Sequence, residues 1–351
     1  MQIGRRIAAA MIIFSVVLWS GVFLNCTDNA LTLFMKTRNA LINPKKVEKN
    51  HNDSSEITIE ATETAKTQTE TKTESKNQTS SVSKTKEKKA GDVISQFFTP
   101  YKANTSYNNT YMNNQSGVKI SIKDMLESKL NLGYVEDSAE PQVLIMHTHG
   151  TENYLPEDRD YYTDSDLKRT KDEKFSVVGV GAKLKKELEA KGIGVVHDKT
   201  LHDSPSYSGS YTRSSAAMEE NLKKYKNIKI VLDIHRDAIA DGKNIVRPVV
   251  EIDGKEAAQV MICVGSETGI AEGFPNWKEN LKLGLNLQQT TEVLYPGLAR
   301  PLFLAYERIY NQDVSTKALI IEFGTNANTF SQAEYSAELM ATAIATVLKN
   351  E

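Results

Sequence analysis

Three short apolar runs, far apart in the chain, each end on a side chain able to do chemistry, and this recurrence limits the fold more than any other feature. Val143-Leu144-Ile145-Met146 runs into His147-Thr148-His149-Gly150-Thr151-Glu152. Ile228-Lys229-Ile230-Val231-Leu232-Asp233-Ile234 ends on His235-Arg236-Asp237, and Ala318-Leu319-Ile320-Ile321 ends on Glu322-Phe323-Gly324-Thr325-Asn326. Runs of this length, rich in β-branched residues, read as buried strands. In an open α/β sheet, catalytic groups collect outside the carboxyl ends of the strands. The pattern therefore predicts three strand ends gathered around one site.

Between these runs the apolar spacing changes to a helical one. Val177, Val180, Leu184 and Leu188 fall on one helical face that closes at Gly192, and Tyr211, Ser215, Met218, Leu222 and Tyr225 mark a second helix. Residues 193–197 form a short strand, and runs 245–252 and 259–264 read as a hairpin around Asp253-Gly254. Helices over 275–294 and 331–349 enclose a strand near 302–306. Ahead of them all, Ile120, Ile122, Met125, Leu126 and Leu130 give a short amphipathic segment. Strands alternating with helices predict an α/β domain over residues 118–351, with a mixed, mostly parallel sheet and helices on both faces. The charged stretch 155–174 fits a loop at a site and a solvated loop equally well.

A lone His-x-x-Glu pair says little, because it arises by chance in many chains of 351 residues. Its weight comes from a third ligand. Catalytic zinc takes three protein ligands and leaves one position open, and His149, Glu152 and His235 supply two imidazole nitrogens and a carboxylate. Zn2+ in such a site polarises a carbonyl and makes water acidic near neutral pH. Amide hydrolysis then needs a base, and Glu322 at the third strand end is the candidate. Asp233 or Asp237 could orient His235 from behind. The plainer alternative for Glu322 is pairing with Arg236 or Lys317. Glu173, just ahead of the first long helix, is a second candidate for the carboxylate ligand. His147 points to the opposite face if the strand continues, and reads as a strand-end hydrogen-bonding residue. His197 and His202 lack a matching partner pattern and read as surface or hydrogen-bonding residues.

The amino-terminal third has a different composition. Arg5-Arg6 followed by an uncharged run to Thr27 is long enough to cross a bilayer, with the arginines holding its start in the cytoplasm. No small-x-small cleavage site follows it, and Leu24-Asn25 ahead of Cys26 makes a poor lipoprotein signal. Residues 1–27 are therefore expected to be an uncleaved membrane anchor, which puts the rest outside the cytoplasm. Residues 28–117 read as a linker, and 44–90 are so rich in Lys, Glu, Thr, Ser and Asn that they cannot bury enough surface to offset ordering. About 50 such residues span roughly 40 Å on average, a generous working radius. The net charge of −2 gives no argument for nucleic acid. Cys26 and Cys263 are poorly placed for a disulfide, and Cys263 sits in the apolar run 260–264 as a core residue.

With these residues in view, the chain resembles the stage II sporulation protein P family of endospore-forming bacteria. The pieces that carry the resemblance are the short anchor, the polar linker, the His149 to Glu152 turn, the run 192–200, Asp233-Ile234-His235-Arg236-Asp237, Tyr310-Asn311-Gln312-Asp313, and Ile321-Glu322-Phe323-Gly324. They cover the chain from about Leu144 to its end. The resemblance implies a zinc amidase-like fold and a zinc-dependent N-acetylmuramoyl-L-alanine amidase that also cuts peptide cross-links. It implies peptidoglycan as substrate, stage II sporulation protein D and other engulfment proteins as partners, and work at the septal and forespore-engulfing membrane. It implies His149 and His235 as Zn2+ ligands and Glu322 as the catalytic carboxylate. In the wider zinc amidases the carboxylate ligand sits at the start of the first helix, where Glu173 stands. The sporulation family keeps the glutamate of the His-x-x-Glu turn, so Glu152 is the expected ligand. Arg236, Asp237 and Asn326 are expected to bind substrate or to support the ligands.

Two other readings fit parts of the pattern. A zinc carboxypeptidase also uses His-x-x-Glu, a distant histidine and a later glutamate, but needs a cation for the terminal carboxylate, such as Arg236, Arg247 or Arg300. A tethered wall-binding scaffold would need none of His149, His235 and Glu322, all of which are present.

Overall fold

A computed structural model describes residues 88–268 and 273–350. The anchor expected at 1–27 and the linker up to Glu87 lie outside the described residues, among which no helix is long and apolar enough to cross a membrane. In chain order the first elements are β1 (Lys89–Gln96), β2 (Thr105–Tyr107), β3 (Thr110–Asn114), α1 (Ile122–Glu127), β4 (Val143–Met146), β5 (Tyr161–Thr163), α2 (Val177–Glu189) and β6 (Val195–His197). Then come α3 (Ser210–Lys224), β7 (Ile230–Asp237), β8 (Ala240–Asp241), β9 (Asn244–Ile252), β10 (Lys255–Ala258) and β11 (Val260–Val264). The last are α4 (Trp277–Leu294), β12 (Leu302–Leu304), β13 (Ala318–Thr325) and α5 (Phe330–Lys349).

The larger sheet has the order β2-β3-β12-β11-β13-β7-β4-β6. Its pairings are parallel except β11 with β13 and β2 with β3, which matches the mixed, mostly parallel sheet expected. The three chemistry-bearing runs are the adjacent strands β4, β7 and β13. Their register sets Met146 opposite Asp233, and Glu322 opposite His235.

Side-chain alternation along these strands divides the core in two. Val143 and Ile145 of β4, Leu232 and Ile234 of β7, and Leu319 and Ile321 of β13 face one way and pack with Val177, Val180, Leu184 and Leu188 of α2 and with α4 and α5. Leu144, Met146 and Val231 face the other way and meet Met218 and Leu222 of α3. Helices thus cover both faces, and Asp233, His235 and Glu322, by the same alternation, share the α3 side. Each fully buried Leu or Val adds about 1.5–3 kcal/mol of apolar burial, so these strands are fixed in register by the residues on either side of the polar ones.

Two expectations need correction. The linker ends earlier than residue 117, because β1, β2 and β3 belong to the folded domain. β1 runs parallel to β9 and antiparallel to β5, with Val93 buried, and Gln259 holds the Phe98 backbone through both of its amide atoms. The polar composition of this stretch hid a strand whose buried face needs little more than one valine. The hairpin around Asp253-Gly254 also differs. Both residues take positive φ, 49° and 74°, as a tight hairpin turn requires. The partner of β9 is nevertheless β10, and the run 260–264 leaves for the larger sheet as β11, beside β13. Together β10, β9, β1 and β5, with β8 beside β9, make a second, smaller sheet that the sequence pattern did not foretell.

Candidate active site

β4 ends on a turn that places His149 and Glu152 where β7 delivers His235. The His149 and His235 rings stand nearly perpendicular with centroids 5.2 Å apart, and Glu152 Oε2 lies 3.6 Å from His235 Nδ1. All three residues are buried. Glu322, opposite His235 on β13, completes the cluster; one of its carboxylate oxygens is buried without a hydrogen-bond partner. The plainer alternative for Glu322 does not hold, since Lys317 pairs with Glu279 at 3.0 Å and Arg236 Nε donates to Asn153 O at 3.0 Å.

Glu173 is placed elsewhere, in an exposed pair with Lys199 at 2.7 Å. Glu152 is held inside instead. Its Oε2 accepts the Arg236 backbone N–H at 3.1 Å, and Arg169 Nη2 approaches Oε1 at 3.7 Å. Arg236 therefore acts here through its main chain, with its guanidinium turned to backbone carbonyls.

The two imidazoles carry opposite charge preferences. Burial lowers His149 to about 3, helped by the nearby His235 and Arg169 cations. Burial also works against the charged form of His235, but the Asp233 carboxylate at 2.9 Å from its Nε2, with Glu152 and Glu322 beyond, raises it to about 10. Asp233, not Asp237, is thus the carboxylate behind His235. It is fixed by the Thr148 backbone N–H at 2.8 Å and the Thr148 hydroxyl at 2.6 Å. Glu322 is raised above the usual carboxylate range first by burial, then by the Asp237 and Glu152 charges, against the pull of His235 and Arg300.

The donor set is the right kind for zinc. His149 Nδ1 is buried and has no protein partner; His235 has its Nε2 2.9 Å from the Asp233 carboxylate, a close ion contact out of line for a hydrogen bond, and its Nδ1 toward Glu152, and an outer-shell carboxylate on that side is what orients a ligating imidazole. Among the described residues no three His, Cys, Asp or Glu side chains already stand at metal-ligand spacing. Glu152 leans instead on the Arg236 amide, so a cation would have to draw it in.

His147 behaves as its strand position implies. It faces α2, with Nδ1 3.1 Å from Ile234 O and Nε2 2.8 Å from His197 Nε2. His202 is buried in the loop before α3, where its carbonyl accepts from Arg213 Nε at 2.6 Å. Several residues around the site had no sequence signal. Tyr207 stacks on His149 with centroids 4.5 Å apart, its Oη 3.1 Å from Nε2, and Arg169 lies over it at 4.7 Å. Asp203, fully enclosed, takes the Thr151 hydroxyl at 2.5 Å and Arg169 Nη1 at 2.6 Å, which ties the His149–Glu152 turn to the charged loop. Arg169 settles the role of that loop: it is at the site. Asp237 turns to Arg300 at 2.9 Å, and Asn326 follows Glu322 with its Oδ1 buried and unpartnered.

Comparison with known proteins agrees with the residues that carried the resemblance. A curated relative, stage II sporulation protein P of Bacillus subtilis (strain 168), is 32% identical over 209 residues, 57% of this chain. The match spans 49% of that relative's own length, so the chain corresponds to about half of it. Among solved structures, the CwlD amidase of Clostridioides difficile in complex with the GerS lipoprotein aligns at a TM-score of 0.37 and 12% identity, over 60% of this chain and 100% of that one. An N-acetylmuramoyl-L-alanine amidase from Clostridium difficile aligns at 0.36 and 17% identity, over 61% and 97%. The family profile of stage II sporulation protein P (SpoIIP) matches residues 25–345, and the chain belongs to that family.

Proposed function

We propose that this chain is a membrane-anchored, zinc-dependent peptidoglycan hydrolase. In this reading it cleaves the amide between N-acetylmuramic acid and L-alanine, and peptide cross-links, during forespore engulfment. One observation carries it: two imidazoles, a carboxylate and a second, half-buried carboxylate with one oxygen buried and unpartnered, from three strand ends, meet in one place. His149, Glu152 and His235 would hold the metal. Zinc bound by such a set supplies Lewis acidity, polarising a carbonyl and making water acidic near neutral pH.

The chain's own residues supply the rest. Asp233 holds His235 through Nε2 and leaves Nδ1 toward the site, while Tyr207 and Arg169 wall off His149 and Glu152 from bulk water. Glu322, which pairs with no cation among the described residues, would take a proton from the attacking water at a carboxylate oxygen and return it to the leaving amine nitrogen. The anchor and the extracytoplasmic placement belong to the same reading and rest on Arg5-Arg6 and the uncharged run after them, while partnership with stage II sporulation protein D rests on the family resemblance.

Mass spectrometry of purified peptidoglycan after digestion tests the reaction. Whole stem peptides released from glycan are expected, and Glu322→Gln should lower the rate roughly 10²–10⁴-fold while wall binding persists. Release of single amino acids, or a fully active Glu322→Gln variant, would remove the assignment.

A further inference from the structure

Past Glu322 the strand ends carry a polar cluster that no step above uses. Arg300 is 5% exposed; its Nη2 donates to Asp237 Oδ2 at 2.9 Å, and its Nε is buried with no hydrogen-bond partner. Asn326 donates its backbone N–H to Asp237 O at 3.1 Å, and its side-chain Oδ1 is the unpartnered atom noted above. Both residues therefore hang on Asp237, two positions beyond His235. Arg300 also bonds Val260 of β11 through its backbone N–H, and β11 flanks β13 on the side away from β4. Arg300 thus lies across Glu322 from His149, and the charges of Arg300 and Asp237 both reach Glu322.

The other two arginines considered for substrate are already engaged. Arg236 donates to backbone carbonyls, and Arg247 is held by Ser95 and Asp158 beside the smaller sheet. Arg300 alone of the three keeps a buried donor in reserve. Asp237 anchors both the residue with the orphaned N–H and the residue with the orphaned acceptor, and such a pair matches one partner well, the C=O and N–H of a peptide amide. A buried polar group left unmatched is costly, so a substrate that supplies both partners is favoured over one that cannot. A terminal carboxylate fits badly, for it brings acceptors only. Asp237 already neutralises Arg300, and Glu322 adds negative charge nearby.

We infer that Arg300, Asp237 and Asn326 form a subsite for a backbone amide of the substrate's peptide, selecting peptides that continue past this point over those that end in a free carboxylate. The inference rests on the hydrolase reading and narrows it to internal bonds, away from carboxypeptidase action.

Calorimetry on the full chain, stripped of metal by a chelator so that nothing turns over, tests it with two synthetic stem peptides differing only in a carboxamide or a carboxylate terminus. The carboxamide form should bind about tenfold more tightly, the scale of one well-made hydrogen bond. Arg300→Lys, which keeps the charge and loses the Nε–H, should erase the difference, and Asn326→Ala should weaken the carboxamide form alone. Melting curves identify any variant that fails to fold, in which case Asn326→Ala carries the test. Equal binding of the two peptides, tighter binding of the carboxylate, or a preference that survives both substitutions overturns the subsite. Because binding is read without turnover, failure of the wild-type chain to digest wall would remove the hydrolase reading separately.

Discussion

Asp233 is the residue that sets how His235 meets a ligand. A carboxylate 2.9 Å from Nε2, itself pinned twice by Thr148, fixes the ring so that Nδ1 is the nitrogen left for the site. Asp233→Asn keeps the shape and loses the charge. Zinc affinity, read by competition with a chelator, should fall about 10–100-fold, and an unchanged affinity would reject Asp233 as the orienting group. At this scale the sequence was informative where chemistry followed a strand. His149, Glu152, His235 and Glu322 each come just after or at the end of an apolar run, and a reader of the pattern finds all four. It was silent on Tyr207, Arg169 and Asp203, because they reach the site from loops whose path depends on tertiary packing. It left Glu152 and Glu173 both open as carboxylate ligands. Only the Arg236 amide and the Lys199 ammonium separate them, and neither contact is visible in one dimension.

Among the elements, α4 carries a titratable group outside the site. Glu292 is buried near its end and accepts backbone N–H bonds from Gly297 and Ala299. Burial raises its carboxyl from 4.5 to about 7 against the pull of those bonds. The folded chain therefore holds this proton more tightly than the unfolded one, so the stability it contributes is complete below about 4.5 and is lost as pH rises through about 7. At about 1.4 kcal/mol per pKa unit the loss is roughly 3 kcal/mol. Glu292→Gln can still accept both amides, and chemical denaturation at pH 5 and pH 8 should show a smaller decline for it than for the wild type; parallel declines would contradict this. The elements themselves were mostly legible. Helical spacing and the glycine stop at Gly192 located α2 and α3, and Asp253-Gly254 located a hairpin. Its second strand was misplaced because the chain bends at Gln259, whose side chain bonds Phe98 and Gly297, so that β10 and β11 join different sheets with one residue between them.

For the molecule as a whole, the sequence yielded the centre of the larger sheet and missed both its β2–β3 edge and the smaller sheet, since β1, β2 and β3 come from a stretch whose composition is that of a linker. A fragment beginning at Val118 would lack β1, β2 and β3, leave β9 and β12 each with one flank uncovered and expose Ile245. It should melt well below a fragment beginning at Lys88, and equal melting temperatures would show that these three strands add nothing to the domain. The site depends on neither choice, because β4, β7 and β13 are adjacent strands of the larger sheet. What the account requires is that their ends hold a metal. Zinc content of the purified full chain, measured by elemental analysis, should be about one ion per chain, should fall toward zero in His149→Ala and His235→Ala, and should persist in Glu322→Gln. A wild-type chain that retains no zinc at saturating supply, or a His235→Ala variant that retains it in full, would contradict the account.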